Sequence, residues 1–208
     1  MTILAKQKNI LTIVDGAHVP AHIDLDIKKL DPDFYCGACH KWMCSPKGVA
    51  FLYVKKEYQN MIEPLVVSWG YEAENPSDSQ YLDYMQWQGT NDMSAYLTIP
   101  ETIKFLNEND WKERAKDCRD LNLWAKNEIC EKLNAYPTGK DEFLGQMTTI
   151  AFDFEDTIGD KKEFYNKYKI QVPFIKWNNK TFFRISSQVY NSKDDFEYLI
   201  KSLKDFKA

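Results

Sequence analysis

The sequence has no apolar run that approaches the roughly 18 residues of a membrane-spanning helix, and it has no internal repeat or low-complexity segment. It also has no excess of positive charge, since 31 acidic residues face 27 basic ones and the net charge is −4. Nucleic-acid binding requires a positively charged surface, so nucleic acid is not the expected partner, and the missing apolar run argues against a membrane. The expected partner is a small molecule. The opening segment MTILAKQKN lacks the apolar core of a signal peptide. We therefore expect a cytoplasmic protein.

The first half of the chain has the pattern of an open α/β sheet. Continuous apolar residues predict a buried strand at 9–14 and a second strand at 34–38, with a short amphipathic helix at 24–30 between them. Such strands are typical of parallel sheets, and the interval is long enough for a crossover connection. The turn Ser45-Pro46-Lys47-Gly48 precedes a third strand at 49–54, which predicts a hairpin. Residues 57–92 have little periodicity and predict a structured loop region.

The second half has a different pattern. A helix is predicted to begin near Ser94 and a longer one to span 111–133, followed by the turn at 136–139. Beyond it, the sequence predicts strands at 147–154, 170–175 and 181–187 and helices at 161–168 and 194–206. This alternation is typical of a compact α+β unit. We expect two domains, 1–107 and 108–208.

Three of the five cysteines, Cys36, Cys39 and Cys44, lie within nine residues. The string Cys36-Gly37-Ala38-Cys39-His40 matches the C-x-x-C-H motif of c-type haem attachment, but it falls on a predicted strand and no export signal precedes it. Thiolates and imidazole also suit zinc. Neighbouring side chains of a strand point to opposite faces, however, so these ligands would not converge. We expect free thiols, no metal and no haem.

An acid and a lysine lie where two predicted strands end. Asp15 follows the first strand and Lys41 follows the second. Ligands of open α/β sheets bind outside the carboxyl ends of the strands, so both side chains are expected in one crevice. A carboxylate that keeps a pyridine nitrogen protonated and an amine that bonds to an aldehyde are what pyridoxal 5'-phosphate (PLP) requires. The alternatives are that Asp15 caps a following helix and that Lys41 is an ordinary surface lysine.

The segment VDGAHVPAHIDLDIKKLDPDFYCGACHKWMCSPKGVAFLYV resembles the class V aminotransferases, in particular their isopenicillin N epimerase-like branch. The resemblance continues through 87–92, 94–96 and 183–187. It implies an α/β fold, namely the C-terminal part of a fold type I PLP-dependent large domain, with a mixed and mostly parallel sheet, followed by a small α+β domain. It also implies a small amino-acid substrate and a homodimer.

The resemblance further implies a role for each of several residues. Lys41 would bond to the cofactor and Asp15 would pair with its pyridine nitrogen. His18 would lie near the phenolic oxygen, His40 would contact the phosphate, and Thr90, after Gly89, would reach the phosphate of the neighbouring subunit.

A further residue, Arg184, would hold the α-carboxylate of the substrate, a task that suits a planar fork of donors. The alternatives remain that His18 and His40 are structural and that Arg184 pairs with a buried acid. His22 has no assigned role.

Family members are about twice this length. The resemblance places the phosphate-cradling loop and the ring that stacks on the cofactor in the half that this sequence does not include. We therefore expect either a homodimer or a separately encoded N-terminal half as partner, and weak cofactor binding by the chain alone. The expected reaction is amino-acid epimerisation. The alternatives are a cysteine desulfurase or carbon-sulfur lyase, and a non-catalytic truncated remnant.

Overall fold

A computed structural model describes residues 1–152 and 161–207. The chain divides into two compact units, Met1–Asn109 and Asp110–Ala208. The boundary expected from the sequence, between residues 107 and 108, lies close to this division. Within the described residues, no helix combines the length and the apolar character needed to cross a membrane.

The first unit is built on a three-stranded mixed sheet of order β1-β2-β3. Strands β1 (Ile13–Asp15) and β2 (Phe34–Ala38) are parallel, and β2 is antiparallel to β3 (Ala50–Val54), so the predicted crossover and hairpin are both present. The helices of this unit are α1 (Thr2–Gln7), α2 (Ile27–Leu30), α3 (Gln80–Gln86), α4 (Ser94–Leu97) and α5 (Ile99–Glu108), with a 3₁₀ turn at Lys56–Met61.

Several elements of this unit differ from the sequence-based expectation. Strand β1 begins at Ile13 rather than at residue 9, because the amide of Thr12 donates to the carboxylate of Asp33 (2.7 Å) instead of to a strand. Helix α2 begins only at Ile27, because the side chain of Asp26 caps it by accepting from the amide of Lys29 (3.0 Å). The region expected to be loop contains the 3₁₀ turn and α3, and the sequence did not predict α1.

A few close contacts fix the pairing of β1 with β2. The hydroxyl of Thr12 donates to Asp33 (2.9 Å), and the amide of Asp33 donates back to that hydroxyl (3.1 Å). At the other end of the strand, the amide of Gly16 donates to the carbonyl of Cys36 (2.9 Å). A Cβ atom at Gly16 would lie 2.0 Å from the ring of Tyr35, so only glycine fits beside this buried tyrosine. The ladder therefore runs in one register up to Asp15.

The second unit packs helices against a four-stranded antiparallel sheet of order β4-β5-β7-β6. Its core is formed by apolar side chains from the sheet and the helices, among them Ile129, Ile150 and Phe183. The elements are α6 (Trp111–Leu133), β4 (Tyr136–Pro137), β5 (Met147–Phe152), α7 (Lys161–Tyr168), β6 (Phe174–Trp177), β7 (Lys180–Ser186) and α8 (Lys193–Lys207), with a 3₁₀ turn at Asp141–Phe143.

The expected elements of this unit are present: α6 and α7 have the predicted bounds and the others have shifted ends. The short strand β4 begins where the sequence predicts a turn. The strand predicted at 170–175 begins only at Phe174 and ends at Trp177. Ile170 and Val172, which precede it, pack against the core without forming part of a strand. The end of the strand predicted at 147–154 lies outside the described residues beyond Phe152.

A buried polar network holds the end of β7. Asn122, fully buried on α6, donates to the carbonyl of Gln146 (3.1 Å) and to the hydroxyl of Ser187 (3.3 Å), and it accepts from the hydroxyl of Thr148. The side chain of Gln146 donates to the carbonyl of Ser187 (3.1 Å). Buried hydrogen bonds of this kind specify one arrangement, because breaking any of them leaves a desolvated polar atom. The strand that carries Arg184 is thereby fixed just beyond that residue.

Strand β1 lies at the edge of its sheet, where Ile13 is 81% exposed, and Ile10, which precedes the strand, is 58% exposed. On its outer side, β1 has no strand partner among the residues that the structure describes. Exposed apolar edges of this kind promote association between chains.

We predict that the 208-residue chain self-associates and that Ile13→Lys reduces this association, because a charge on an edge strand opposes pairing with another edge. Sedimentation velocity over a range of concentrations measures the effect. Ile103→Lys is the matched control, since Ile103 is also exposed (47%) but lies on helix α5. A wild-type chain that sediments only as a monomer would contradict the prediction.

Candidate active site

Asp15 and Lys41 leave the sheet at the same edge. Asp15 is the last residue of β1, and Lys41 lies in the turn that follows β2, the parallel neighbour of β1. That turn is tight: the amide of Cys44 donates to the carbonyl of Lys41, and the amide of Ser45 donates to the carbonyl of Cys39, both at 3.1 Å. The charge of Lys41 acts on the Asp15 carboxyl group and lowers its pKa. The two groups therefore share one electrostatic environment.

The Asp15 carboxylate is oriented by two donors on one of its oxygens. Oδ1 accepts from the amide of Ala17 (3.0 Å) and from the thiol of Cys36 (3.6 Å). These hydrogen bonds, followed by the charges of Lys41 and His18, hold the pKa of Asp15 below its ordinary value. Oδ2 accepts no hydrogen bond from any residue that the structure describes. Asp15 is exposed and followed by turns rather than by a helix, so it does not act as a helix cap.

His18 belongs to a cluster with two other rings. Its Nδ1 accepts from the indole Nε1–H of Trp42 at 3.3 Å. The ring of His22 stacks on Trp42 with 4.3 Å between centroids and 23° between planes, and Nδ1 of His22 lies 2.8 Å from the carbonyl oxygen of His18. Burial lowers the pKa of His22 below its ordinary value.

The ring of His40 is held by the backbone carbonyl of Val49, the residue before β3. Its Nδ1 lies 2.9 Å from the carbonyl oxygen of Val49, and a carbonyl can only accept, so Nδ1 carries the proton. The amide of Cys39 donates to the same oxygen (2.9 Å). This contact fixes the ring and leaves Nε2 as the nitrogen that can meet a ligand. Thr90 lies exposed after α3, next to Gly89, whose φ of +108° favours glycine.

The cysteines do not share one site. Cys36 contacts Asp15, Cys39 is buried and Cys44 is exposed; all five cysteines of the chain have free thiols. Burial raises the pKa of the Cys39 thiol. Among the described residues, no group of three or more His, Cys, Asp and Glu side chains could hold a metal ion.

Arg184 lies on β7 of the second unit, paired with Thr149 of β5. Its Nε atom is buried and has no hydrogen-bond partner within the described part of the chain. No acid in that part forms an ion pair with it, so the described structure provides no support for the alternative of a buried acid. A buried guanidinium nitrogen without an acceptor is costly, and an external carboxylate would remove that cost.

Sequence reasoning missed two contributors to this site. Trp42 bonds to His18, and Cys36 bonds to Asp15, yet neither was assigned a role, and His22 was left unassigned. The strand pairing was a usable signal for Cys36, because residues paired on parallel strands have side chains on one face and Cys36 is paired with Asp15. The sequence has no comparable signal for Trp42, since turns rather than regular elements carry both Trp42 and His18.

Comparison with known proteins gives a consistent result. A profile of the aminotransferase class-V family matches residues 1–199. The chain is 30% identical to an isopenicillin N epimerase of Amycolatopsis lactamdurans, over 97% of this chain and 54% of the epimerase. It is also 30% identical to the hercynylcysteine sulfoxide lyase of Schizosaccharomyces pombe, over 98% of this chain and 53% of the lyase. The chain thus spans about half the length of these relatives.

Solved structures show the same fold at lower sequence identity. A cysteine desulfurase from Thermococcus onnurineus NA1 matches with a TM-score of 0.78 and 16% identity, over 98% of this chain and 54% of the desulfurase. At this identity the likeness concerns the fold alone. It confirms the expected fold class, the C-terminal part of a fold type I enzyme.

We predict that Cys36→Ala raises the pKa of Asp15 toward its ordinary value, because the substitution removes one of the two donors on Oδ1. Cys36→Ser keeps a donor and should shift the pKa less. Carboxyl ¹³C NMR during an acid titration measures both. Cys44→Ala is the control, since Cys44 bonds to the carbonyl of Trp42 and not to Asp15. An Asp15 pKa that is unchanged in Cys36→Ala would contradict the prediction.

Proposed function

Because this chain belongs to the class V aminotransferase family, a family of PLP-dependent proteins, we propose that its first unit supplies the lysine and the carboxylate of a PLP site. Lys41 is the residue that would bond to the cofactor, and Asp15 is the partner of the pyridine nitrogen. When bound, PLP withdraws electrons from the α-carbon of an amino acid. The residues of this chain decide how the cofactor is held and where protons go.

The observation that carries the proposal is the state of Asp15. Its pKa lies below the ordinary value of an aspartate, so the carboxylate is ionised at neutral pH. Its Oδ1 accepts from the amide of Ala17 and the thiol of Cys36. No described residue donates to Oδ2, so an N–H group of a ligand can bind there. An ionised carboxylate keeps a pyridine nitrogen protonated when the two form a hydrogen bond. Lys41 follows β2, the parallel neighbour of β1, and its charge acts on this carboxylate, which supports the proposal that both groups serve one ligand.

Three further residues complete the proposed cofactor contacts. His18 shares the electrostatic environment of Asp15 and would face the phenolic oxygen. His40, with its Nδ1 fixed on the Val49 carbonyl, would present Nε2 to the phosphate. Thr90, exposed on its loop, would reach the phosphate held by a second copy of the chain, so the proposed assembly is a homodimer with shared sites. The alternative partner is a separately encoded N-terminal half.

The proposed substrate is an amino acid or a derivative of one, and the proposed reaction is epimerisation at its α-carbon. Lys41 or a base of the partner would move the α-proton, and Arg184 would hold the carboxylate with its unpartnered guanidinium nitrogen. The 30% identity to an isopenicillin N epimerase supports this choice. Equal identity to a sulfoxide lyase supports carbon-sulfur cleavage as the second candidate. A third proposal is that the chain is a non-catalytic remnant.

One measurement distinguishes among these reactions. PLP-loaded protein is incubated in D₂O with single amino acids and with cysteine derivatives. Epimerisation exchanges the α-proton and racemises the substrate without release of sulfur, carbon-sulfur cleavage releases a sulfur-containing product, and a remnant does neither.

We predict that one equivalent of PLP, followed by reduction with borohydride, labels Lys41, because the amine that bonds to the cofactor aldehyde becomes irreversibly attached. Peptide mass spectrometry locates the label. Lys41→Ala should lose it. Lys47→Ala, which removes an exposed lysine of the same loop, should retain it. Labelling spread over many lysines, or unchanged in Lys41→Ala, would refute the assignment of Lys41.

We also predict that Arg184→Lys weakens amino-acid binding to the PLP-loaded chain by roughly 10- to 100-fold, because lysine keeps the charge but loses the fork that holds a carboxylate. The cofactor absorbance should remain. Titration of amino acid against that absorbance measures both. Arg119→Lys is the control. In the wild-type chain Arg119 donates to the carbonyl of Leu144 (2.9 Å), so replacing it should not change amino-acid binding. If Arg184→Lys loses cofactor and amino acid equally, Arg184 is structural.

A further inference from the structure

The hydrogen bond between Trp42 and His18 determines where the proton of His18 lies. An indole nitrogen is only a donor, so the Nδ1 atom of His18, 3.3 Å from Nε1 of Trp42, must accept. A neutral imidazole that accepts at Nδ1 carries its proton on Nε2. Trp42 is 9% exposed, so little water reaches the indole to compete for this hydrogen bond.

His22 stabilises the position of the indole. Its ring lies against Trp42 at a centroid distance of 4.3 Å and 23° between planes, which restricts rotation of the tryptophan side chain. The Nδ1 atom of His22 faces the carbonyl oxygen of His18 at 2.8 Å and therefore carries a proton. The same two residues, Trp42 and His22, thus hold both the ring and the backbone of His18.

The charged neighbours of His18 do not replace this hydrogen bond. The charge of Asp15 favours a positive imidazole at His18, but an attraction of this kind does not choose between the two ring nitrogens. Burial holds the pKa of His22 below its ordinary value, so His22 is neutral at pH 7 and adds no charge. A second proton on His18 would have to enter at Nδ1, against the indole N–H, and would break the contact with Trp42.

We propose that Trp42 is a positioning residue that, with His22 packed on its ring, holds His18 as the neutral tautomer whose Nε2 carries the proton. His18 then offers a hydrogen-bond donor at Nε2. Because this inference rests on the proposed PLP site, the acceptor is an oxyanion of the chemical class of the PLP phenolate. The Nδ1–H tautomer would instead present a lone pair to that oxygen and repel it.

The tautomer can be measured on the 208-residue chain without any cofactor. Long-range ¹H–¹⁵N spectra of the imidazoles identify the unprotonated nitrogen of each histidine, and a His18→Gln sample assigns the His18 signals. We expect Nδ1 of His18 to be the unprotonated nitrogen at neutral pH. The indole proton of Trp42 should shift together with His18 when acid protonates that ring. This second signal needs no variant at Trp42.

Trp42→Phe keeps an aromatic ring for His22 and removes only the N–H donor. We expect it to raise the ratio of Nδ1–H to Nε2–H tautomer of His18 by about 2- to 10-fold, the change expected from the loss of one ordinary hydrogen bond. Trp69→Phe is the matched control, because Trp69 is 90% exposed and should leave the His18 signals unchanged. A proton on Nδ1 in the wild-type chain, or identical His18 spectra in wild type and Trp42→Phe, would overturn the proposal.

Cofactor affinity separates this inference from the proposed function. Equilibrium dialysis with PLP should show weaker binding by Trp42→Phe than by Trp69→Phe, by about the same 2- to 10-fold. If the wild-type chain holds no PLP while the NMR result stands, the proposed cofactor is wrong and the tautomer assignment is right. If PLP binds normally and the wild-type tautomer is Nδ1–H, the proposed cofactor is right and the tautomer assignment is wrong.

Discussion

The parallel pairing of β1 with β2 is the contact on which the candidate site depends, because it brings residues far apart in sequence to one sheet edge. The side chain of Asp33 fixes one end of the pair through Thr12, and the amide of Gly16 fixes the other end on the carbonyl of Cys36. Gly16 permits this only because it has no side chain to strike Tyr35. A slip by one residue would turn Asp15 to the other face of the sheet and separate it from Lys41.

The site that results is held by ordinary contacts rather than by buried ion pairs. A backbone amide and a thiol orient the Asp15 carboxylate, a carbonyl orients His40, and an indole orients His18. The contacts of Asp15 and His40 each leave one atom, Oδ2 and Nε2, for a ligand. Fixed side chains of this type reduce the entropy lost when a ligand binds. The exposure of Asp15 indicates that the described chain forms one wall of the site and that other protein surface would be needed to exclude water from it.

The candidate residue of the second unit, Arg184, lies on β7, a strand whose neighbouring side chains belong to the core of that unit. Arg184 lies between Phe183 and Ile185, which are both buried, and the network around Asn122 fixes the residues after it. Within the described part of the chain, the buried Nε of Arg184 has no hydrogen-bond partner, which is a costly arrangement for stability. Such arrangements are frequent at binding sites, where the ligand supplies the missing partner.

The sequence by itself determined the class of fold, the hairpin after Ala38, the long helix Trp111–Leu133 and the placement of Asp15 and Lys41 at the ends of two neighbouring strands. These features follow from local signals: apolar periodicity, a turn that contains proline and glycine, and sequence motifs that resemble those of a family. The predicted first strand was too long, because Ile10 and Leu11 are as apolar as strand residues. In the structure the Asp33 side chain binds the Thr12 amide, and β1 begins only at Ile13.

Only the tertiary structure decided which neighbours tune the candidate site. Trp42 reaches His18 across 24 positions, and Cys36 reaches Asp15 across 21. No periodicity or motif encodes the contact between Trp42 and His18, since it depends on how two turns leave the sheet. The contact between Cys36 and Asp15 follows from the register in which β1 pairs with β2. The tautomer of a histidine and the pKa of a carboxyl group are set by such contacts, so they were settled by packing and not by the order of residues.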